Sequence, residues 1–187
     1  DQAAFLPNAQ GFDFSFGIPY SNDMGTAAEG SKSDLGKPTP KDEPVPATGK
    51  MNPPETGLRG NAQPPLPMLR DGKAVARIRQ AEQQRLVADY TQEAEGFIRR
   101  SKDRPFFLYL PLNTPHSPMQ VPDRWRRKFE SRELLQLHRE PEKEDEQFTR
   151  AALAMCENLD QNVGRVLRRL EELHLVDHLF RKLENMG

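Results

Sequence analysis

The chain has 187 residues, 28 acidic against 27 basic side chains, and a formal net charge of −1. That length supports one domain with a real core, while near-neutral charge gives no overall field to draw nucleic acid or an anionic membrane. A single cysteine, Cys156, rules out an intrachain disulfide, and no apolar run is long enough to span a bilayer.

In chain order, Gly11-Phe12-Asp13-Phe14-Ser15-Phe16-Gly17-Ile18 alternates aromatic with small or polar residues, the period of a strand. Pro19-Tyr20-Ser21-Asn22-Asp23-Met24-Gly25 then reads as a turn. Its three consecutive polar groups either face a ligand or bond their own backbone. Residues 26–67 hold nine of the 17 prolines and few large apolar side chains, so they read as a long Pro-rich surface loop. Within it, Pro64-Pro65-Leu66-Pro67 is either a rigid loop end or a polyproline ligand. Asp71-Gly72 signals a turn, and Val75 and Ile78 mark a short extended piece or a helix start.

Residues 80–101 carry Leu86, Val87, Tyr90, Ala94, Phe97 and Ile98 at spacings that share one helical face. Asp103-Arg104-Pro105 ends the helix. The run Phe106-Phe107-Leu108-Tyr109-Leu110-Pro111 follows without charge or alternation, as expected of a strand covered on both faces in a helix-flanked, parallel-type sheet. In open α/β sheets chemistry sits beyond the carboxyl ends of strands. There the chain reads Asn113-Thr114-Pro115-His116-Ser117-Pro118. Each proline restricts the residue before it, so His116 sits on a stiff backbone, suited to a preorganised site or to an ordinary tight loop.

Asp123 is a candidate N-cap for a short amphipathic piece from Trp125 to Leu135. Its cluster Arg124, Arg126, Arg127 and Lys128 reads as a solvated face, with Glu130 and Glu133 among it, or as an anion site. Residues 136–147 are charged and expected to be exposed. A long helix is predicted over 144–173, with Phe148, Ala152, Met155, Leu159, Val163, Val166, Leu170 and Leu173 as one apolar stripe. Gly164 is expected to mark close packing there, and Cys156 to be a small buried side chain. Glu157 and Asp160 share a face, as an acid/base or metal pair or, as this spacing favours, a surface pair or a cap for a neighbouring loop. After His178, an α/β unit would enter another strand, but Arg181-Lys182 makes a poor one.

Taken together, Gly11 to Gly25, Pro64 to Leu69, Arg104-Pro105-Phe106-Phe107-Leu108-Tyr109, Thr114-Pro115-His116-Ser117-Pro118 and Glu157-Asn158-Leu159-Asp160-x-x-Val163-Gly164 form an ordered set. It resembles the arylsulfatase-type sulfatases of the alkaline-phosphatase-like superfamily. The resemblance implies a partial sulfatase catalytic domain over 1–187, of α/β class, hydrolysing a sulfate ester of an aryl or carbohydrate substrate. His116 matches the family histidine that contacts sulfate and protonates the leaving oxygen. Ser21 matches a sulfate-binding position, and Asn113 a pocket-lining one. The family uses Ca2+ and a formylglycine made within Cys/Ser-x-Pro-x-Arg. That motif is absent from this sequence, so no metal ligand and no modified residue is assigned in this chain.

The expected reading is an internal piece, with the nucleophile part before Asp1 and a closing strand after His178, inactive by itself. Its expected partners are a sulfated small molecule or glycan and the missing parts of its own domain. Family members are commonly secreted, periplasmic or lysosomal. Two other readings stand beside this one. One is a phosphoesterase or phosphonate hydrolase of the same superfamily. The other is a non-catalytic helical interaction module built on the 144–173 stripe.

Overall fold

Asp71 and Gly72 take φ values of 48° and 77°, the paired left-handed conformation of a two-residue hairpin turn. The computed structural model, which describes residues 3–25, 66–134 and 146–176, thus joins β2 (Pro67–Arg70) to β3 (Lys73–Arg77) in an antiparallel hairpin. Asp tolerates this backbone because its short side chain bonds locally. Here the Asp71 carboxylate accepts from the Ser15 amide at 2.9 Å and from Asn8 Nδ2 at 3.3 Å, so the hairpin tip clamps the N-terminal segment. β1 (Phe16–Gly17) adds to the free edge of β2, pairing Phe16 with Arg70 and Gly17 with Leu69. The three-stranded sheet has the order β1-β2-β3 with both ladders antiparallel, and a bulge at Met68/Leu69 leaves Val75 half-exposed. The extended reading of Val75 and Ile78 therefore holds over the helical one for β3.

Helix α1 (Gln80–Gln83) and helix α2 (Leu86–Ser101) share the predicted span, broken at Gln84 and Arg85. Leu86, Val87, Tyr90, Ala94 and Ile98 are buried, as their spacing requires. Leu66, Met68, Ile78, Leu86 and Tyr90 make the first core cluster, with Phe16, Ile18, Tyr20, Leu110 and Leu112 packed against it. The sheet is held to α2 at the edge by Arg70, whose guanidinium bonds both oxygens of Glu93 and lies 4.7 Å from the Phe16 ring.

Burial pushes the Tyr90 phenol up to about 12, with the hydrogen bond from the Ile18 amide opposing the shift. Up to pH 10 the phenol stays protonated in folded and unfolded chains alike. Between pH 10 and about 12 only the unfolded chain sheds the proton, so unfolding becomes progressively favoured. We expect stability to fall by roughly 2–3 kcal/mol across that window and Tyr90→Phe to remove most of the fall. Urea titrations at pH 9 and pH 11.5 check this. An equal alkaline loss in the variant would place the titrating group elsewhere.

Residues 105–112 differ from expectation. They form no helix and join no ladder among the described residues. Their burial alternates instead: Phe106, Leu108, Leu110 and Leu112 turn toward the core, while Phe107 and Tyr109 are 74% and 65% exposed. The Phe106 ring meets Phe97 of α2 edge-on at 5.6 Å, fixing the inner face. One side is covered by α2 and the first core cluster; on the other, the Phe12 ring lies 6.3 Å from that of Phe107 but leaves Phe107 and Tyr109 largely exposed. An apolar run alone does not tell whether one face or two will be covered.

Helix α3 (Asp123–Arg126) and the 3-10 turn Arg127–Phe129 lead into α4 (Glu146–Glu172). Val121, Trp125, Phe129, Ala154 and Met155 form the second cluster. The helical stretch that begins at α3 ends at Phe129, short of the expected Leu135. α4 has nearly its predicted length but not its predicted face. Ala151, Ala154, Met155, Asn158 and Asn162 are buried, whereas Val163 is 41% and Leu167 54% exposed. The packed face is turned roughly 80° from the apolar stripe. The reason is polar. Glu95 of α2 grips Arg165 with two bonds of 3.2 and 2.7 Å, Arg165 donates to Asn162 at 3.1 Å, and Asn162 donates to the Asn158 carbonyl at 2.7 Å. Buried polar groups must be paired, and this seam pairs them. Cys156 consequently lies exposed rather than buried. Gly164 is no close-packing point, since an added Cβ would meet only the Arg168 guanidinium at 3.4 Å.

The Pro-rich loop expected over 26–67 stops short at its end, where Leu66 is buried in the first core cluster and Pro67 opens β2; residues 26–65, part of the charged stretch and the segment after Val176 lie outside the described residues.

Candidate functional site

The chain from Leu112 to Val121 bridges the two clusters: Leu112 packs on the first and Val121 belongs to the second. His116 stands in the middle of this bridge. Its amide donates to the Asn113 carbonyl at 2.9 Å, closing a turn, and the Thr114–Pro115 and Ser117–Pro118 bonds are both cis. Pro118 is buried, which pins the far side of the turn, while the imidazole is exposed. His116 Nδ1 lies 2.7 Å from the Ser117 carbonyl. A carbonyl only accepts, so Nδ1 carries hydrogen and Nε2 is the nitrogen left for chemistry.

Asn113 begins the same turn. Its Oδ1 is buried without a hydrogen-bond donor. A buried acceptor left unpaired costs about 1–3 kcal/mol, a cost that a ligand hydroxyl or amide would relieve. Ser21 is on another loop. It is exposed, and its carbonyl accepts the Met24 amide at 3.1 Å. Tyr20 and Leu112 both pack on the first cluster, so Ser21 and Asn113 each follow directly on an anchor of that cluster. Burial raises the Tyr20 phenol above its ordinary range, keeping it a neutral donor. The structure thus joins Asn113 and His116 in one turn and roots Ser21 in the same core. No hydrogen bond links the three side chains to one another among the described residues.

Asn22 goes the other way. It is 2% exposed, and Gln83 Nε2 donates to its carbonyl at 2.6 Å while its own Nδ2 reaches Gln83 Oε1 at 3.4 Å. This polar pair stitches the loop to α1 and leaves Asn22 nothing to offer a ligand. The anchors Tyr20 and Leu112 had no role in the sequence reading. Their signal was available: each is a large apolar residue directly before a polar candidate.

A family model described as Sulfatase matches residues 4–178. The chain belongs to the sulfatase family. This sulfatase chain is 31% identical over 122 residues to Arylsulfatase G of Homo sapiens, covering 63% of itself and 21% of that protein. With Arylsulfatase G of Mus musculus it is 33% identical over 127 residues, covering the same shares. It spans about a fifth of the length of these curated relatives. Among solved structures, Ps i-CgsB shares the fold with a TM-score of 0.58 at 19% identity, over 94% of this chain and 32% of that one. The complex of Ps i-CgsB with k-i-k-neocarrahexaose aligns with a TM-score of 0.53 at 20% identity, over the same shares. The α/β class and the partial sulfatase fold expected from the sequence are thereby shown.

The described residues of this sulfatase do not fit a metal ion: no group of three or more His, Cys, Asp or Glu side chains converges among them. Nor do they fit formylglycine, since Cys156 sits within α4 and is followed by Glu157 and Asn158. No helix among the described residues is long and apolar enough to cross a membrane.

Proposed function

We propose that the whole protein hydrolyses sulfate esters of a sulfated glycan or aryl compound, and that this chain supplies the His116 turn to that site. The observation that carries the reading is the His116 imidazole, exposed on a pinned turn with Nε2 uncommitted, in a chain of the sulfatase family. In sulfate-ester hydrolysis the S–O bond to the alcohol or phenol breaks, and the departing oxygen keeps the electron pair. It leaves more readily if a proton arrives as the bond stretches. The His116 imidazolium presents Nε2–H for that transfer while Nδ1–H stays on the Ser117 carbonyl and fixes the ring. Ser21 Oγ donates to a sulfuryl oxygen. Asn113 Nδ2 does the same, and its unpaired Oδ1 takes a substrate hydroxyl. Donors already in place need not reorganise as charge builds on the oxygens. Ca2+ and formylglycine belong to this reading through the family. No residue of this chain is assigned to either, and no step here runs through them.

The chain by itself is expected to bind an aryl sulfate without turning it over. Following the imidazole signals of His116 by NMR during titration with 4-nitrophenyl sulfate checks the first part. His116→Gln should weaken binding about tenfold and Ser21→Ala by about threefold. Unchanged affinity in both variants would remove the site. Release of nitrophenol above buffer, with calcium added, would mean that the nucleophile had been overlooked.

A further inference from the structure

Between Arg124 and Arg132 the chain carries five cations, Arg124, Arg126, Arg127, Lys128 and Arg132. The sequence reading took the first four as a solvated face or an anion site. The structure shows how they are held. Trp125 and Phe129 are 5% and 7% exposed and lock α3 and its 3-10 turn into the second cluster. On this aromatic base Lys128 Nζ lies 4.2 Å from the Trp125 ring centre, Arg124 5.7 Å from the same ring, and Arg132 4.8 Å from the Phe129 ring. Such contacts hold a cation in place without neutralising it.

Two of the five are spoken for. Arg126 pairs with Asp123 at 2.9 Å, and Lys128 with Glu157 of α4. Arg124, Arg127 and Arg132 are exposed and have no carboxylate partner among the described residues. Glu130 and Glu133 lie among these cations and temper the patch. Three guanidinium groups without a carboxylate partner, Arg124 and Arg127 on α3 and its 3-10 turn and Arg132 just beyond, suit a ligand bearing several oxyanions, because each planar fork bonds a tetrahedral anion with two parallel N–H donors. A lone sulfate would satisfy only one. The strand of chain that carries His116 runs directly into this element through Met119, which packs on the second cluster, and Val121.

We propose that Arg124, Arg127 and Arg132 form an accessory surface that binds the non-reacting sulfate groups of a sulfated oligosaccharide. The inference rests on the sulfate-ester reading above and makes its glycan branch specific. It separates a polymer-acting site from one made for small aryl sulfates.

The test is titration calorimetry of the full chain with a heparin-derived hexasaccharide, its desulfated counterpart and a short DNA duplex. Wild type should bind the sulfated sugar, more weakly as salt rises, and ignore the desulfated one. Arg124→Gln/Arg127→Gln/Arg132→Gln should lose at least about tenfold in affinity, and Arg127→Gln alone about threefold. Among the described residues the exposed Arg127 side chain joins no hydrogen bond, ion pair or ring contact, so the single variant reads binding even if the triple variant is unstable. Equal hexasaccharide affinity in wild type and Arg127→Gln overturns the proposal, as does absence of binding by wild type. DNA binding as tight as the sugar's also overturns it, by making the patch an undiscriminating polyanion surface. His116→Gln should weaken 4-nitrophenyl sulfate binding about tenfold while Arg127→Gln leaves it within about twofold, so failure of the patch and failure of the His116 site read out separately.

Discussion

Leu86→Ala is expected to destabilise the chain by about 3 kcal/mol, whereas Leu167→Ala should change it by no more than about 0.5 kcal/mol. Both residues are leucines in helices, and alanine keeps helix propensity in each case, so the difference isolates packing. Leu86 opens α2 with no solvent exposure and touches the cluster where sheet, helix and the 105–112 segment meet. Truncation there leaves a void lined by groups that the hairpin and α2 hold apart. Leu167 is 54% exposed on the flank of α4 that packs on nothing described. Urea unfolding with an unchanged slope would read the two values directly. Similar losses would show that the first cluster is not the centre of the fold.

The second large effect concerns the backbone of 105–112. Neither the amides nor the carbonyls of these residues make a backbone hydrogen bond to any described residue. Amides without partners exchange with solvent at close to the rate of an open chain, while those inside α2 wait for an opening event. In hydrogen–deuterium exchange, peptides spanning 106–112 should label fully at the shortest time point. Peptides spanning Tyr90 to Ile98 should remain protected for times longer by orders of magnitude. Slow labelling of 106–112 would mean that another strand already pairs with it.

Much of the helical layout was legible because periodicity is local. The face of α2 followed from Leu86, Val87, Tyr90, Ala94 and Ile98, and the ends of α4 fell within a turn of expectation. The orientation of α4 was not legible. Hydropathy reports which side of a helix is apolar, but Glu95 on the neighbouring helix rewards Asn162 and Arg165, and no local window contains that neighbour. The hairpin was half visible. Asp71-Gly72 announced the turn, while Pro67 and the bulge at Met68/Leu69 disturbed the alternation on either side. At the candidate site, two prolines and a histidine beyond an apolar run were enough to place His116 on an exposed turn. That Asn22 would face inward while Ser21 stayed out depended on Gln83, 61 positions away.

The amide–guanidinium–carboxylate row between α2 and α4 also sets how this pair of helices meets anything else. A greasy seam lets two rods slide or roll against each other with little penalty. Directional bonds from Glu95 through Arg165 to Asn162 fit at one rotation and one axial offset. The two helices therefore behave as a keyed unit, and the ridge made by Val163 and Leu167 always points the same way. Whatever surface comes to lie on that ridge meets a fixed shape rather than a mobile one, and spends no ordering entropy on choosing it.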